Sequence, residues 1–282
     1  MLESVIRSID FIEENLRSPL NVETIAAQAA NYSPYHFVRV FSSLTGETPG
    51  SYLRKRRLSE AAHALIHSDR PLVEIAAEFQ FQSHAAFTRS FKAQFSLPPA
   101  EQRRVQKFLH LAPRAVVLQS EFGRPPGMEP RLVDFPALHL VGVRYHGDNS
   151  GGELERVWQQ FGEKMARSLL AAQPQRTFGL WVYPDSFQTS RDFDYLAGLA
   201  VEDLEAVPQG MVERRLAARR YAVFEHVGSL RNIRRTYVYA YGEWLPHSGL
   251  QPAAPYDLEG YDERFTGPDR GDSILSILIP VE

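Results

Sequence analysis

Apolar side chains recur at helical spacing along the first 110 residues and at alternating spacing beyond residue 130, so two architectures follow one another in this chain. Leu2, Val5, Ile6, Ile9, Ile12 and Leu16 form one helical stripe, which Ser18-Pro19 stops. A second helix is predicted from about Asn21, holding Ile25, Ala26 and Ala27. After the turn AANYS, Ser33-Pro34 reads as an N-cap followed by proline at the first helical position. That third helix runs to Thr45-Gly46, a glycine stop, and a longer helix covers roughly residues 50–67. After Asp69-Arg70-Pro71 the pattern restarts.

The restart is a duplication. A shift of 50 residues aligns Ile25-Ala26-Ala27 with Ile75-Ala76-Ala77, SPYHFVRVF with SHAAFTRSF, and Pro49 with Pro99. Each copy reads as a helix-turn-helix, with the helix at 50–67 as a rod between them. Phe37, Phe41 and Leu44 fall on one face of the first repeated helix; Tyr35, Val38, Arg39 and Ser42 fall on another, which packing does not demand. In the second copy Phe87, Phe91 and Phe95 take the core side, and Ala85, Thr88, Arg89 and Lys92 make the exposed face. An arginine there can pair with guanine in the major groove, and small neighbours can touch a thymine methyl. A single such helix would ordinarily be a packed surface helix; two in register argue for double-stranded DNA as partner. The rod, about 25 Å long at 1.5 Å per residue, suits two readers about 34 Å apart, one DNA turn. One chain then carries both readers, so a monomer suffices and a dimer is not forbidden.

Residues 107–130 read as a connector containing RPPGMEP. Beyond it, residues 131–145 are predicted as a strand, 153–171 as an amphipathic helix, and 177–183 and 193–201 as strands. The order then repeats with strand-like residues 211–227 broken near Ala218, a helix at 232–246, and strands near 256–265 and 273–281. Two β-α-β-β units predict an α+β domain with an antiparallel sheet and two helices on one face.

Composition narrows the chemistry. The 282-residue chain has no cysteine, which excludes disulfides, thiolate metal sites and cysteine nucleophiles. No membrane span or signal peptide is read in it, and a cytoplasmic location is expected. The net charge of −3 hides an asymmetry: residues 1–110 hold 13 Lys and Arg against 11 Asp and Glu, net +2, and the remainder is net −5. Arg54-Lys55-Arg56-Arg57 point all round a helix, so most are expected to be solvated or paired with acids such as Glu47 and Glu60. His63 and His67, at i and i+4, read as a surface pair rather than a metal site.

In the second half, Trp181 and Tyr183 fall on one face of a strand, and the acids Glu225 and Glu259 stand among aromatic residues, Trp244 included. A carboxylate ringed by aromatic faces suits a lipophilic cation. A Glu259 that only satisfies neighbouring backbone or tyrosine groups is the alternative.

Residues 1–105 resemble the AraC/XylS transcription regulators. The likeness runs through Phe37-x-Arg39-x-Phe41, Thr45-Gly46, Pro49, Tyr52-Leu53-Arg54, Ile75-Ala76, Ser83, Phe87-x-Arg89-x-Phe91-Lys92 and Pro99. The resemblance implies an all-α double helix-turn-helix DNA-binding domain, with base-edge readers Tyr35, Val38 and Arg39 in one unit and His84, Ala85, Ala86 and Arg89 in the other. Ser33 and Ser83 would be N-caps whose backbone amides can also hold phosphate. The chain departs from the family in its longer turn AANYS, and in Ser96 and Gln102 where glycine and tyrosine are common. Val38 and Ala85 would read bases by apolar contact. Residues 131–281 resemble the GyrI-like effector-binding domains through RRYAVFEHVGSLRNIRRTY, GEWLPHSGL, PYDLEGYD and SILIPV. That resemblance implies a cleft for small aromatic or cationic molecules, with Glu259 as its acid, Trp181, Tyr183 and Trp244 as walls, and Glu225 as a weaker candidate.

The expected organisation is a multidomain chain: DNA-binding domain at 1–107, linker at 108–130, and an α+β GyrI-like domain at 131–282. The expected function is a sequence-specific transcription regulator, read as an activator, whose small-molecule effector changes the contact between pocket domain and DNA domain or the contact with RNA polymerase, with no cofactor or metal. The competing reading is a GyrI-like hydrolase using Glu259 with Tyr183 or Tyr195, or a drug-sequestering module tethered to DNA.

Overall fold

The computed structural model describes residues 2–28, 34–105, 111–117, 124–147, 149, 151–168, 176–183, 192–202, 204 and 206–282. The chain divides into two compact units, Met1–Leu118 and, save for residues 188–190, Gln119–Glu282. No helix among the described residues is long and apolar enough to cross a membrane.

The first unit is helical: α1 (Leu2–Glu14), α2 (Val22–Ala26), α3 (Pro34–Thr45), α4 (Pro49–Ile66), α5 (Leu72–Glu78), α6 (His84–Phe95) and α7 (Pro99–Val105). Several of its helices start on side-chain caps. Asn21 accepts from the Thr24 amide at 2.8 Å while the Thr24 hydroxyl accepts from the Asn21 amide at 3.1 Å, a reciprocal box. Thr48 caps α4 ahead of Pro49. The C-terminal part of α4 packs Leu58, Ala61 and Leu65 against Ile75, Phe79, Phe87 and Phe91, a core for the second repeat. Phe37, Phe41, Leu44 and Tyr52 are buried with Ile9, Ile12 and Ile25 in the first.

The basic run on α4 is mostly structural. Arg56 grips Glu13 of α1 through Nε at 2.8 Å and Nη2 at 2.9 Å, meets Glu60 at 2.9 Å, and donates through Nη1 to the Ala112 carbonyl at 2.8 Å. Arg57 donates to the carbonyls of Leu16 and Ser18 beyond α1, and Lys55 pairs with Glu47 at 2.9 Å. Part of the stretch read as a linker is thereby tied down. The Ala112 amide donates to Ser59 at 2.9 Å and the Ala115 amide to the Tyr52 hydroxyl at 3.2 Å, so residues 111–117 lie along the first unit.

The second unit holds β1 (Arg131–Phe135), β2 (Leu138–Gly147), α8 (Glu153–Ala166), β3 (Thr177–Val182), β4 (Phe193–Val201), β5 (Val212–Leu216), β6 (Arg219–Val227), α9 (Ile233–Tyr239), α10 (Leu245–Ser248), β7 (Tyr256–Tyr261) and β8 (Ile274–Pro280). A π-helical turn, Ala240–Trp244, joins α9 to α10. The strands form one antiparallel sheet in the order β1-β6-β8-β7-β3-β4-β2-β5. From either edge the pattern of the two halves is the same, an approximate twofold.

The single strand expected at 131–145 is corrected: it breaks at Pro136-Ala137, where proline has no amide to give a ladder. Its pieces pair apart, β1 with β6 and β2 with β4 and β5, so the two halves exchange their first strands. On one face of the sheet Phe178, Leu180, Leu196, Leu258 and Leu278 form an apolar layer, with Val133, Phe135 and Leu216 of the outer strands packed against it. The helices cover the opposite face, as the bonds Trp158 to Tyr195 and Tyr237 to Glu259 show.

The duplication also exposes a flaw. Helices α3 and α6 end at equivalent residues with left-handed backbone, Gly46 at φ +80° and Ser96 at φ +68°. Glycine takes that conformation freely and serine does not. Ser96→Gly is expected to stabilise the first unit by about 1 kcal/mol, read as a rise of a few degrees in its calorimetric transition.

Candidate functional sites

In the second repeat, Ser83 caps α6 by accepting from the Ala86 amide at 3.1 Å. The cap turns the first helical residues outward. His84, Ala85, Arg89 and Lys92 are exposed and Ala86 is half-buried, while Phe87 and Phe91 are buried beneath them. One face thus carries a cation flanked by small side chains.

The first repeat is less open. Arg39 is half-buried on α3; Ser33 and the turn before it lie outside the described residues, as does the side chain of Tyr35. The assignment of Val38 as a base reader is corrected: it is 1% exposed, beside the equally buried Phe37, Val40 and Phe41. A side chain with no accessible surface offers nothing to a base edge. Fifty residues on, Thr88 is half-buried with its hydroxyl inside and without a hydrogen-bond partner, so this position is packed in both copies. On α4 the rings of His63 and His67 lie 4.3 Å apart on the surface, with no third ligand among the described residues.

The second unit has a cleft of about 660 Å³ between its helices and the sheet. Trp158 of α8, Trp181 of β3, Tyr195 of β4 and Tyr261 of β7 line it, with Leu230, Ile233 and Phe265, and Glu259 lies at its base. The rings meet edge to face: Trp158 and Tyr261 at 4.9 Å, Trp181 and Tyr195 at 5.0 Å, Tyr261 and Phe265 at 4.8 Å. Gly179, opposite Glu259 in the ladder, makes this arrangement possible. A Cβ there would stand 2.2 Å from the Tyr195 hydroxyl, so only glycine lets the phenol lie across β3.

Glu259 is 6% exposed. Its Oε1 accepts from the Tyr237 hydroxyl at 3.1 Å and its Oε2 from the Tyr261 hydroxyl at 2.9 Å. All of these donors are neutral. Burial raises the carboxyl above its ordinary value, against the opposing pull of Tyr261, Trp181 and Tyr237, and the nearby Asp257 adds to the rise. Burial likewise pushes the Tyr195 and Tyr261 phenols well up, and the charge of Glu259 reinforces it.

Three expected cleft residues lie elsewhere. Tyr183 is buried and donates to Asp257 at 3.0 Å, where Tyr241 donates as well, so it serves that acid and does not line the cleft. Trp244 sits on the π-helical turn with its ring 5.2 Å from Phe224. Glu225 is on the wrong face: Phe224 pairs with Ile277, which pairs with Glu259, so alternation sends Glu225 to the other side. There Arg131 at 3.0 Å and Arg264 at 2.9 Å hold it. Glu259 and Trp181 do come together. Sequence reasoning missed Tyr261 as a wall, although its i+2 spacing from Glu259 on a strand put it on the same face. It also missed Trp158, for which helix α8 gave no signal.

Residues 128–282 match the GyrI-like small molecule binding domain. The chain belongs to that family. Residues 26–105 of the GyrI-like protein match a helix-turn-helix domain, here of the AraC type. Transcriptional regulator Rob of Salmonella typhimurium is 28% identical over 279 residues, covering 96% of this chain and 95% of Rob. Transcriptional regulator BrlR of Pseudomonas aeruginosa is 32% identical over 154 residues, 55% of this chain and 56% of BrlR. Multiple antibiotic resistance protein MarA of Escherichia coli is 36% identical over 107 residues, 36% of this chain and 84% of MarA.

The GyrI-like domain holds its acid at a cost in stability. A carboxyl with a raised pKa stabilises the fold fully below the ordinary 4.5, and that contribution is lost as pH rises through the folded value. Glu259→Gln, uncharged and of the same shape, is therefore expected to raise the thermal midpoint by a few degrees at pH 7.5, with the gap closing towards pH 4.

Proposed function

We infer that this protein is a transcription regulator that reads DNA with α3 and α6 and senses a small lipophilic cation in its GyrI-like cleft. The observation that carries the reading is Glu259, a buried carboxylate among aromatic rings whose hydrogen-bond partners are neutral phenols. An unpaired charge in such surroundings costs several kcal/mol, and a cation seated against the rings offsets that cost through charge pairing and cation–π contact. The relatives named transcriptional regulators support the regulator part of the reading. Exposed Arg89 with Ser83, His84, Ala85 and Ala86 supports base reading by α6, and Arg39 with Tyr35 is the corresponding set on α3. RNA polymerase is the natural partner of such a regulator at a promoter. Binding is favoured over hydrolysis because Tyr183, one candidate donor beside Glu259, is committed to Asp257.

Selection of bound fragments from a random duplex library is expected to yield one asymmetric motif spanning about one helical turn. Replacing Arg39 and Arg89 together by alanine is expected to cost about 1–3 kcal/mol per site and abolish the enrichment; enrichment of the same motif by the double variant would refute the DNA reading. For the cleft, tetraphenylphosphonium is expected to quench tryptophan fluorescence in the parent. Glu259→Gln should weaken that binding at least tenfold, and equal affinity would remove the cation site.

A further inference from the structure

We propose that Tyr237 and Tyr261 set the selectivity of the cleft, favouring cations that carry no N–H over equally apolar cations that do. The proposal rests on the reading of the cleft as a cation site and goes beyond it to the kind of cation accepted.

Glu259 already accepts two hydrogen bonds. A carboxylate offers about four lone-pair sites on two oxygens. Here each oxygen accepts a phenol, from opposite directions: Tyr237 reaches Oε1 from α9, and Tyr261 reaches Oε2 along β7 itself. With 6% of the residue exposed, little of the carboxylate is open to a donor from the cleft. At the Tyr195 hydroxyl, one of two lone pairs is taken by the Trp158 indole at 2.9 Å. Beside Glu259 the cleft therefore presents negative charge and aromatic faces with few open acceptors; Asn149 and Thr177 also line it, and the Asn149 Oδ1 already accepts from the Leu154 amide at 3.0 Å.

A quaternary ammonium or phosphonium needs only that charge and those faces. A protonated amine also brings an N–H, which loses its water on entry and must find an acceptor or remain unmade. Leaving a buried donor unsatisfied weakens binding by about 10- to 100-fold. The acids at the rim do not sort the two classes. Glu155 is exposed, and Asp269 is exposed and paired with Arg231 at 2.8 Å, so both act on any cation through solvent.

The test is a matched pair: (1-naphthylmethyl)trimethylammonium and protonated (1-naphthylmethyl)dimethylamine, titrated into the full chain at pH 7 beside tetraphenylphosphonium. The extra methyl alone accounts for about a fourfold preference. The parent is expected to favour the quaternary ion about 100-fold. Tyr237→Phe and Tyr261→Phe each remove a phenol and free an acceptor, and are expected to pull the ratio towards fourfold by strengthening the amine. A parent ratio of fourfold or less overturns the proposal, as does a parent ratio retained in both variants. If one variant does not fold, the parent ratio and the other variant still decide. Tetraphenylphosphonium separates the two levels of the argument. If it binds while the pair is not sorted, only the selectivity claim fails; if no cation binds, the cation reading falls and takes the selectivity claim with it.

Discussion

The antiparallel ladder between β3 and β7, where the two halves of the GyrI-like domain meet, is the constraint on which its chemistry depends. Thr177 faces Tyr261, Gly179 faces Glu259 and Trp181 faces Asp257 across it. Because side chains alternate strictly along a strand, that register places Asp257, Glu259, Tyr261 and Trp181 together under the helices. Leu258 and Phe178 go to the apolar layer beneath. A slip by one residue would drive a glutamate into that layer and a leucine into the cleft. The register is held by Gly179, whose missing side chain is the space that Tyr195 fills.

The two units treat a buried glutamate in opposite ways. Glu13 meets Arg56 in a double contact. Burial alone would raise its pKa, but the hydrogen bonds from Arg56 and Tyr52 outweigh that and hold it below the ordinary value. The result is a lock joining α1, α4 and residues 111–117. Glu259 receives neutral phenols in place of an arginine, and its pKa goes up. The first arrangement is complete in itself, whereas the second leaves a charge deficit that an incoming cation would resolve. Functional sites often trade stability in this manner.

Residues that repeat or alternate made much of the protein legible. The 50-residue shift predicted both helix-turn-helix units, and the structure places α2, α3, α5 and α6 there; the cap at Ser83 is formed, and Ser33 lies outside the described residues. The PYDLEGYD motif pointed to Glu259, and alternation put Trp181 on a shared face. What failed did so for identifiable reasons. Val38 lay on the outer face by helical period, yet burial on α3 extends beyond one stripe. Glu225 stood among aromatic residues in the sequence, but its strand turned it away. Tyr183 shares the face of Trp181 and nevertheless belongs to Asp257, one step further along the ladder.

By itself the sequence determined that the first unit is a duplicated helix-turn-helix, because periodicity is a local property, and its likeness to the GyrI-like domains singled out Glu259. Only the tertiary structure decided which strands pair, that the two halves exchange β1 and β5, and that Trp158, Tyr195, Tyr237 and Tyr261 surround one carboxylate. Trp158, Tyr195 and Tyr237 stand 22 to 101 positions from Glu259 along the chain. Over such separations, burial and ladder register select the neighbours, and no local pattern records the choice.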